Sequence, residues 1–493
     1  MPGLSTAASA GIHGSMTAVA GTKREQPGRR PWWGLGAAAA TVAHRPGLWL
    51  TALVVVALCS VVAAWLTATS KPVLSTDMTF DESWTWQSQE GALELGVTHT
   101  DSSILRGGSP AAAERAEAVL RSTGRLQNQH LMGWGALNPE PSPGRYEWQS
   151  LDARMQLIER TGGSTLLTLA VAPDWMKGGE PGTTDWSRIE VAPTREHFDD
   201  FAALAARAVQ RYPQVERVQV WNELKGFYDT GRNKWDYEGY TDLYNAVYDE
   251  VKAVRPDVEV GGPYISMNSW THPDEASHPS DVSGAWGVLD QRSLDVVEYW
   301  LDNAHGFDFL VVDGGSGTRD EGALDSSRDG AAKFAAVTTW LRERSSVPIW
   351  WAEFYPDVPS APGPESAEQS AATLEAIAAF LTSGTSGALL WQPETTDFLE
   401  FSGLWTRTSD PNGGAPTPLT EPWAWLVPRA ATGGVDVGRQ ASGGPLTAFR
   451  ASDGVLLVNG AKDEVVLGSG QSVVTLPPWG TAIIPSLPDE VPG

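Results

Sequence analysis

The chain has 493 residues, 23 of them Trp, a single Cys and a formal net charge of −25. Such a length is too great for one ordinary domain but suits a (β/α)8 barrel with smaller parts attached. Cys59, alone, excludes an intramolecular disulfide, and the acidic balance argues against nucleic acid and strongly anionic polysaccharides as partners.

Residues 1–47 are rich in Ala, Gly, Ser and Thr and carry Lys23, Arg24, Arg29, Arg30 and Arg45 against one acid, Glu25, which reads as a disordered basic cytoplasmic tail. Residues 48–66 follow without a charge. As a helix they span roughly 28 Å, the thickness of a bilayer's hydrocarbon core, and are expected to form a transmembrane signal-anchor. The alternative is a cleaved signal peptide, although such apolar regions run to only about 7–15 residues. The basic residues precede the span and Asp77, Asp81 and Glu82 follow it. The positive-inside rule therefore predicts a single-pass membrane protein with its N-terminus in the cytoplasm and everything beyond the span extracellular.

After a linker-like stretch at 67–90, strand-like runs are predicted at 93–98, 126–132, 165–171, 217–221, 257–261, 307–312, 348–351 and 387–391. Between them lie amphipathic helical candidates at 111–122, 148–161, 194–211, 237–254, 292–303, 330–344 and 365–383, with 420–430 after the last strand. In 194–211, for example, Phe198, Phe201, Ala202, Ala205 and Val209 recur at helical spacing. Eightfold alternation predicts an α/β fold, a (β/α)8 TIM barrel over 91–432, rather than an open sheet. Short strand-like runs at 446–485, separated by Gly and Asp, predict a β-rich C-terminal domain over 433–493.

Two of the strand-like runs end in a carboxylate. VQVWNELKGFYD at 218–229 stops at Asn222-Glu223, and VPIWWAEFYPD at 347–357 carries Glu353 after an apolar run. A lone Glu there commonly does no more than end a strand. Two, both at the barrel edge where such folds place their chemistry, are what glycoside hydrolysis uses: one protonates the leaving oxygen, the other attacks the anomeric carbon or activates water. The abundance of Trp fits, because indole faces stack on sugar rings, though many of these Trp residues must simply fill core. Trp134 and Trp175 fall just past strand ends and are candidates to wall a cleft. The eight His form no HExxH pattern, and no metal or cofactor is expected.

The stretch 133–176 resembles the retaining glycoside hydrolases of clan A. Glu140, Pro141, Pro143, Gly144, Tyr146, Trp148, Leu151 and Asp152 match that clan's E-P-x-P-G-x-Y-x-W-x-x-L-D pattern, followed by a strand ending in P-x-W. Together with Gly261, Gly262 and Pro263 after strand 5, the chain over roughly 90–490 is most similar to glycoside hydrolase family 39, the β-xylosidase and exopolysaccharide hydrolase type. The resemblance implies that Glu223 is the acid/base, kept protonated, and Glu353 the ionised nucleophile. It further implies that Asn222 binds the sugar 2-hydroxyl, that Trp391 floors the subsite of the cleaved sugar, and that the C-terminal domain is a β-sandwich. One departure stands out: where the clan places a Tyr after strand 6 to hydrogen-bond the nucleophile, this chain has Asp313, so Tyr355 or a loop Tyr is the expected substitute. The expectation is a membrane-anchored retaining hydrolase of a polysaccharide or oligosaccharide. A transglycosylase on the same scaffold, or a non-catalytic carbohydrate-binding protein tethered to the membrane, are the alternatives.

Overall fold

The computed structural model describes residues 83–100, 103–104, 109–359, 367–395, 403–469 and 472–485. Eight parallel strands close into a barrel: β1 Glu94–His99, β2 Leu126–His130, β3 Ser164–Leu169, β4 Val215–Val220, β5 Glu259–Ser266, β6 Phe309–Gly315, β7 Ile349–Tyr355 and β8 Gly387–Trp391. The helices α1 Pro110–Thr123, α2 Gln149–Thr161, α3 Phe198–Arg211, α4 Tyr237–Val254, α5 Gln291–Asn303, α6 Ser327–Arg342, α7 Ala367–Leu381 and α8 Thr420–Ala430 follow the strands in turn. This is the predicted (β/α)8 barrel.

Most of the strands are largely apolar because both faces are buried, β2 (Leu126–His130) being the polar exception. Leu95, Val97, Leu167, Leu169, Val218, Val220, Val312 and Trp351 pack outward in the layer shared with the helices. Leu126, Leu166, Tyr264, Phe309, Val311, Trp350, Ala352 and Leu389 form a separate cluster inside the barrel. Above them runs a polar chain in which each donor finds an acceptor: Gln219 donates to Thr168, Thr168 to Asn128, Asn128 to Thr98, and Thr98 to the Ala352 carbonyl. The chain gives the barrel mouth a hydrogen-bonded floor, with Gln219 Oε1 alone in the series left without a partner among the described residues.

Within the stretch read as a linker, Trp84–Ser88 is a strand, and it pairs antiparallel with Asp436–Gln440. It forms the edge of a five-stranded sheet continued by Leu446–Ala451, Gly454–Asn459 and Thr481–Pro485. A separate hairpin joins Val465–Ser469 to Ser472–Leu476. Where a β-sandwich was expected, the C-terminal part is thus one antiparallel sheet with a hairpin beside it. Buried Glu375 of α7 fastens the sheet to the barrel through Arg439 at 2.6 Å and the Thr447 hydroxyl at 2.5 Å. The tail, the apolar span at 48–66 and the linker up to residue 82 lie outside the described residues. Among the described residues, no helix is long and apolar enough to cross a membrane.

Candidate active site

The chain leaves β4 through a tight turn in which Trp221, Glu223 and Leu224 have φ of 71°, 50° and 48°. Such left-handed backbone is costly for residues with a Cβ and persists only where packing imposes it. Here Trp221 imposes it: its fully buried ring packs on Phe201 and Phe227, and its indole N–H donates to the Lys225 carbonyl at 2.8 Å. The turn brings Lys225 back onto the site. Its Nζ lies 2.6 Å from Glu223 Oε2 and 3.2 Å from Glu190 Oε1, and 5.3 Å above the Trp134 ring. Asn222 is buried, and its side-chain oxygen has no partner among the described residues.

Glu353 faces the barrel mouth because of a bulge. Val311 pairs with Trp350 and Val312 with Trp351, but Asp313 pairs with Glu353, leaving Ala352 as the extra residue. Strict alternation from inward Trp350 would have turned Glu353 toward the helices; the inserted residue re-aims it inward beside Asp313. His130, ending β2, places Nε2 3.6 Å from Glu353 Oε1. The Tyr264 hydroxyl, buried on β5, is near enough to Glu353 to help stabilise its charge but closes no hydrogen bond. Tyr355, expected to serve Glu353, instead faces the other two acids, 3.2 Å from Asp313 Oδ2 and 3.5 Å from Glu223 Oε1. The Ser266 hydroxyl also donates to Asp313 Oδ2, at 3.1 Å.

Glu223, Asp313 and Glu353 each present a carboxylate oxygen within 4.8 Å of the others. That spacing alone does not make them metal ligands, since Lys225 already supplies a cation to the group. Burial works to raise the Glu223 pKa, but the Lys225 charge and hydrogen bonds from Asp313, Lys225 and Tyr355 hold it below its ordinary value. Burial, with the Glu223 charge, raises Glu353, partly offset by His130 and Tyr264. Asp313 is raised well above the carboxylate range by burial and by the charge and hydrogen bond of Glu223. Of the three carboxyls, Glu223 is thus the one whose ionised form its surroundings favour, through Lys225, and Asp313 the one whose neutral form they favour.

The aromatic candidates divide. Trp391 ends β8, with its ring 6.1 Å from that of Tyr355, and Trp134 lies edge-on to His130 at 6.2 Å; both border the carboxylates and stay partly exposed. Trp175 is only 7 % exposed, stands edge-on to His197, and spends its indole N–H on the Glu140 carbonyl at 2.9 Å. The rim is completed by the hairpin Tyr228–Asp229/Lys234–Trp235 and a three-stranded sheet over 269–290, tied together by Arg292, which donates to Tyr228 at 2.8 Å and Asn233 at 2.7 Å. Lys225, His130 and Tyr264 escaped the sequence reading. Lys225 alone left a signal, a basic residue two positions after the candidate acid.

No protein-family model matches the chain, and no curated protein matches its sequence. The fold has clear structural neighbours. SrfJ from Salmonella typhimurium superposes with a TM-score of 0.54 at 12 % identity, covering 84 % of this chain and 94 % of that one. A family 39 glycoside hydrolase from the gut symbiont Bacteroides cellulosilyticus WH2 gives 0.51 at 14 %, covering 80 % of each chain. The GH39 enzyme from Xanthomonas axonopodis pv. citri gives 0.51 at 17 %, covering 76 % of this chain and 73 % of that one. At these identities the likeness is one of fold alone, a TIM barrel.

Proposed function

We propose that this protein is a retaining glycoside hydrolase, most like family 39, that cleaves a polysaccharide or oligosaccharide outside the cytoplasm. The observation that carries the reading is the placement of Glu223 and Glu353 at the C-terminal ends of β4 and β7, with carboxylate oxygens within 4.8 Å. Inverting enzymes need about 6.5–9.5 Å to seat a water between the carboxyls, whereas about 5–5.5 Å permits direct attack. Glu353, flanked by His130 and Tyr264, is the nucleophile that forms a glycosyl-ester, and Glu223 delivers the proton to the departing oxygen. Lys225 favours that delivery by stabilising the anion Glu223 becomes. Asn222, with its unpartnered buried oxygen, is suited to a sugar hydroxyl, and Trp391 to the apolar face of the ring.

Azide rescue tests the roles. Glu223→Gln should still be glycosylated by a dinitrophenyl glycoside, whose leaving group needs no proton, and added azide should restore turnover by replacing the activated water. Glu353→Gln should lose several orders of magnitude on every substrate. Rescue of Glu353→Gln alone would exchange the two roles, and near-normal activity in both variants would remove the glycosidase reading.

Residues 48–66 are proposed to anchor the enzyme, on the strength of their uncharged length and the basic residues that precede them. Digestion by external protease, in intact cells, of a tag placed before Lys23 would overturn this topology.

A further inference from the structure

The clan's two-carboxylate chemistry does not explain a third. Asp313 lies near the C-terminal end of β6 with no exposed surface, Oδ2 receiving two hydroxyls and Oδ1 unpartnered among the described residues. Among the described residues, no cation is in ion-pair contact with it. The charged and titratable groups around it are Glu223 from the β4 end, Glu353 and Tyr355 from β7, Tyr264 from β5 and, further off, Lys333 from α6. The Lys333 ammonium is committed to the Gly315 and Gly317 carbonyls at 3.0 and 3.3 Å. An ionised Asp313 would be a buried anion pressed against two more; protonated, it becomes a donor to Glu223.

We propose that Asp313 is a positioning residue that stores the proton Glu223 hands to the leaving group, the two acting as an acid/base pair balanced by Lys225. This rests on the glycosidase reading above. In the resting site Glu223 and Glu353 are anionic, Asp313 carries one proton, and Lys225 cancels one of the negative charges. That sum equals the charge of an ordinary acid-plus-nucleophile pair, so Lys225 and Asp313 enter as a mutually compensating addition.

In the first step the O–H bond of Asp313 breaks as one forms on Glu223, and that proton passes to the glycosidic oxygen. The bond from this oxygen to the anomeric carbon breaks, its electron pair leaving with the oxygen. Glu353 forms the ester and loses its charge as Asp313 gains one, so the buried charge stays constant. In the second step water attacks the anomeric carbon, Glu353 departs as a carboxylate, and the proton from water returns through Glu223 to Asp313. Constant charge in a buried site keeps the electrostatic cost of both steps low.

The raised pKa of Asp313 and lowered pKa of Glu223 agree with this distribution. The test uses the full chain and has two arms. In the first, carbon-13 NMR of side-chain-labelled Asp and Glu should show one Asp carboxyl that stays protonated far above its usual range and is missing from Asp313→Asn. In the second, Asp313→Asn should lose on the order of 10²-fold in kcat/KM on phenyl glycosides, which need protonation, and change little in kcat/KM on dinitrophenyl glycosides. The alkaline limb of its pH–rate profile should move to lower pH. Lys225→Met, which releases Glu223 from its cation, should move that limb the opposite way. Equal losses on both leaving groups with an unmoved pH profile, or no Asp carboxyl with elevated titration, would overturn the proposal. Should the wild type cleave no aryl glycoside at all, the glycosidase reading falls, while the NMR arm still decides where the proton sits.

Discussion

Lys333→Met isolates the cost of one buried charge. Lys333 projects from α6, is 1 % exposed, and donates to the two carbonyls that follow the Asp313 strand end. Burial pushes its ammonium pKa down to about 8, against the pull of Asp357 and Asp313. In the unfolded chain the same group titrates near 10.4. Between these values the unfolded state binds more protons than the folded one, so this group's contribution to stability rises with pH. It is fully present above about 10.4 and is lost as pH falls through about 8. A depression of this size corresponds to roughly 3 kcal/mol, borne by the folded state at neutral pH. Methionine removes that cost but takes the donor from two carbonyls, at about 1–3 kcal/mol each, so the net change near pH 7 should be small and of either sign. The decisive quantity is the difference in slope. Urea unfolding of both proteins near pH 7 and near pH 10 should show the wild type gaining roughly 2–3 kcal/mol more than the variant over that interval. Parallel pH dependences in the two proteins would refute the placement of a charged lysine in this core.

His99 is the acid-side counterpart. Burial, with the Arg154 charge, lowers its pKa to about 3 despite the Gln127 hydrogen bond, so its stabilising contribution is full above about pH 6.5 and is lost as pH falls toward 3, roughly 5 kcal/mol in all. His99→Gln should lose less stability than the wild type between about pH 6.5 and pH 4 in thermal melts, and an equal loss would contradict this. The two tryptophans should part company: Trp391→Ala should lower kcat/KM about tenfold or more with little change in Tm, the loss expected of a stacking platform. Trp175→Phe, which removes the N–H donor to the Glu140 carbonyl, should cost about 1 kcal/mol of stability and leave kcat/KM unchanged.

The barrel was legible because strands buried on both faces write short apolar runs into the chain, while most of the helices, buried on one face, write a helical period between them. The helix expected at 237–254 and the strand expected at 387–391 have those bounds in the structure. Trp84–Ser88 was not legible, because a five-residue edge strand far from its partner in sequence carries too short a pattern to separate it from a linker. The two-residue strands of the rim are shorter still. Glu223 and Glu353 could be picked out because each interrupts an apolar run. The pairing of Glu223 with Lys225 could not, since it depends on Lys225 being folded back by the left-handed turn that follows β4. Asp313 was visible only as a departure from a pattern. Its meaning lies in the bulge that sets Glu353 opposite it, and a one-residue register shift has no signature in composition.

Trapping the glycosyl-enzyme tests the central claim most directly. The full chain is incubated with a panel of dinitrophenyl 2-deoxy-2-fluoro-glycosides, which form the ester readily but hydrolyse it slowly, and intact mass and peptide mapping follow. The account predicts one covalent sugar per chain, on the peptide bearing Glu353, retained in Glu223→Gln and absent in Glu353→Gln. A label on Glu223 or Asp313, or turnover of a glycoside whose fluoro-analogue never labels the protein, would contradict it.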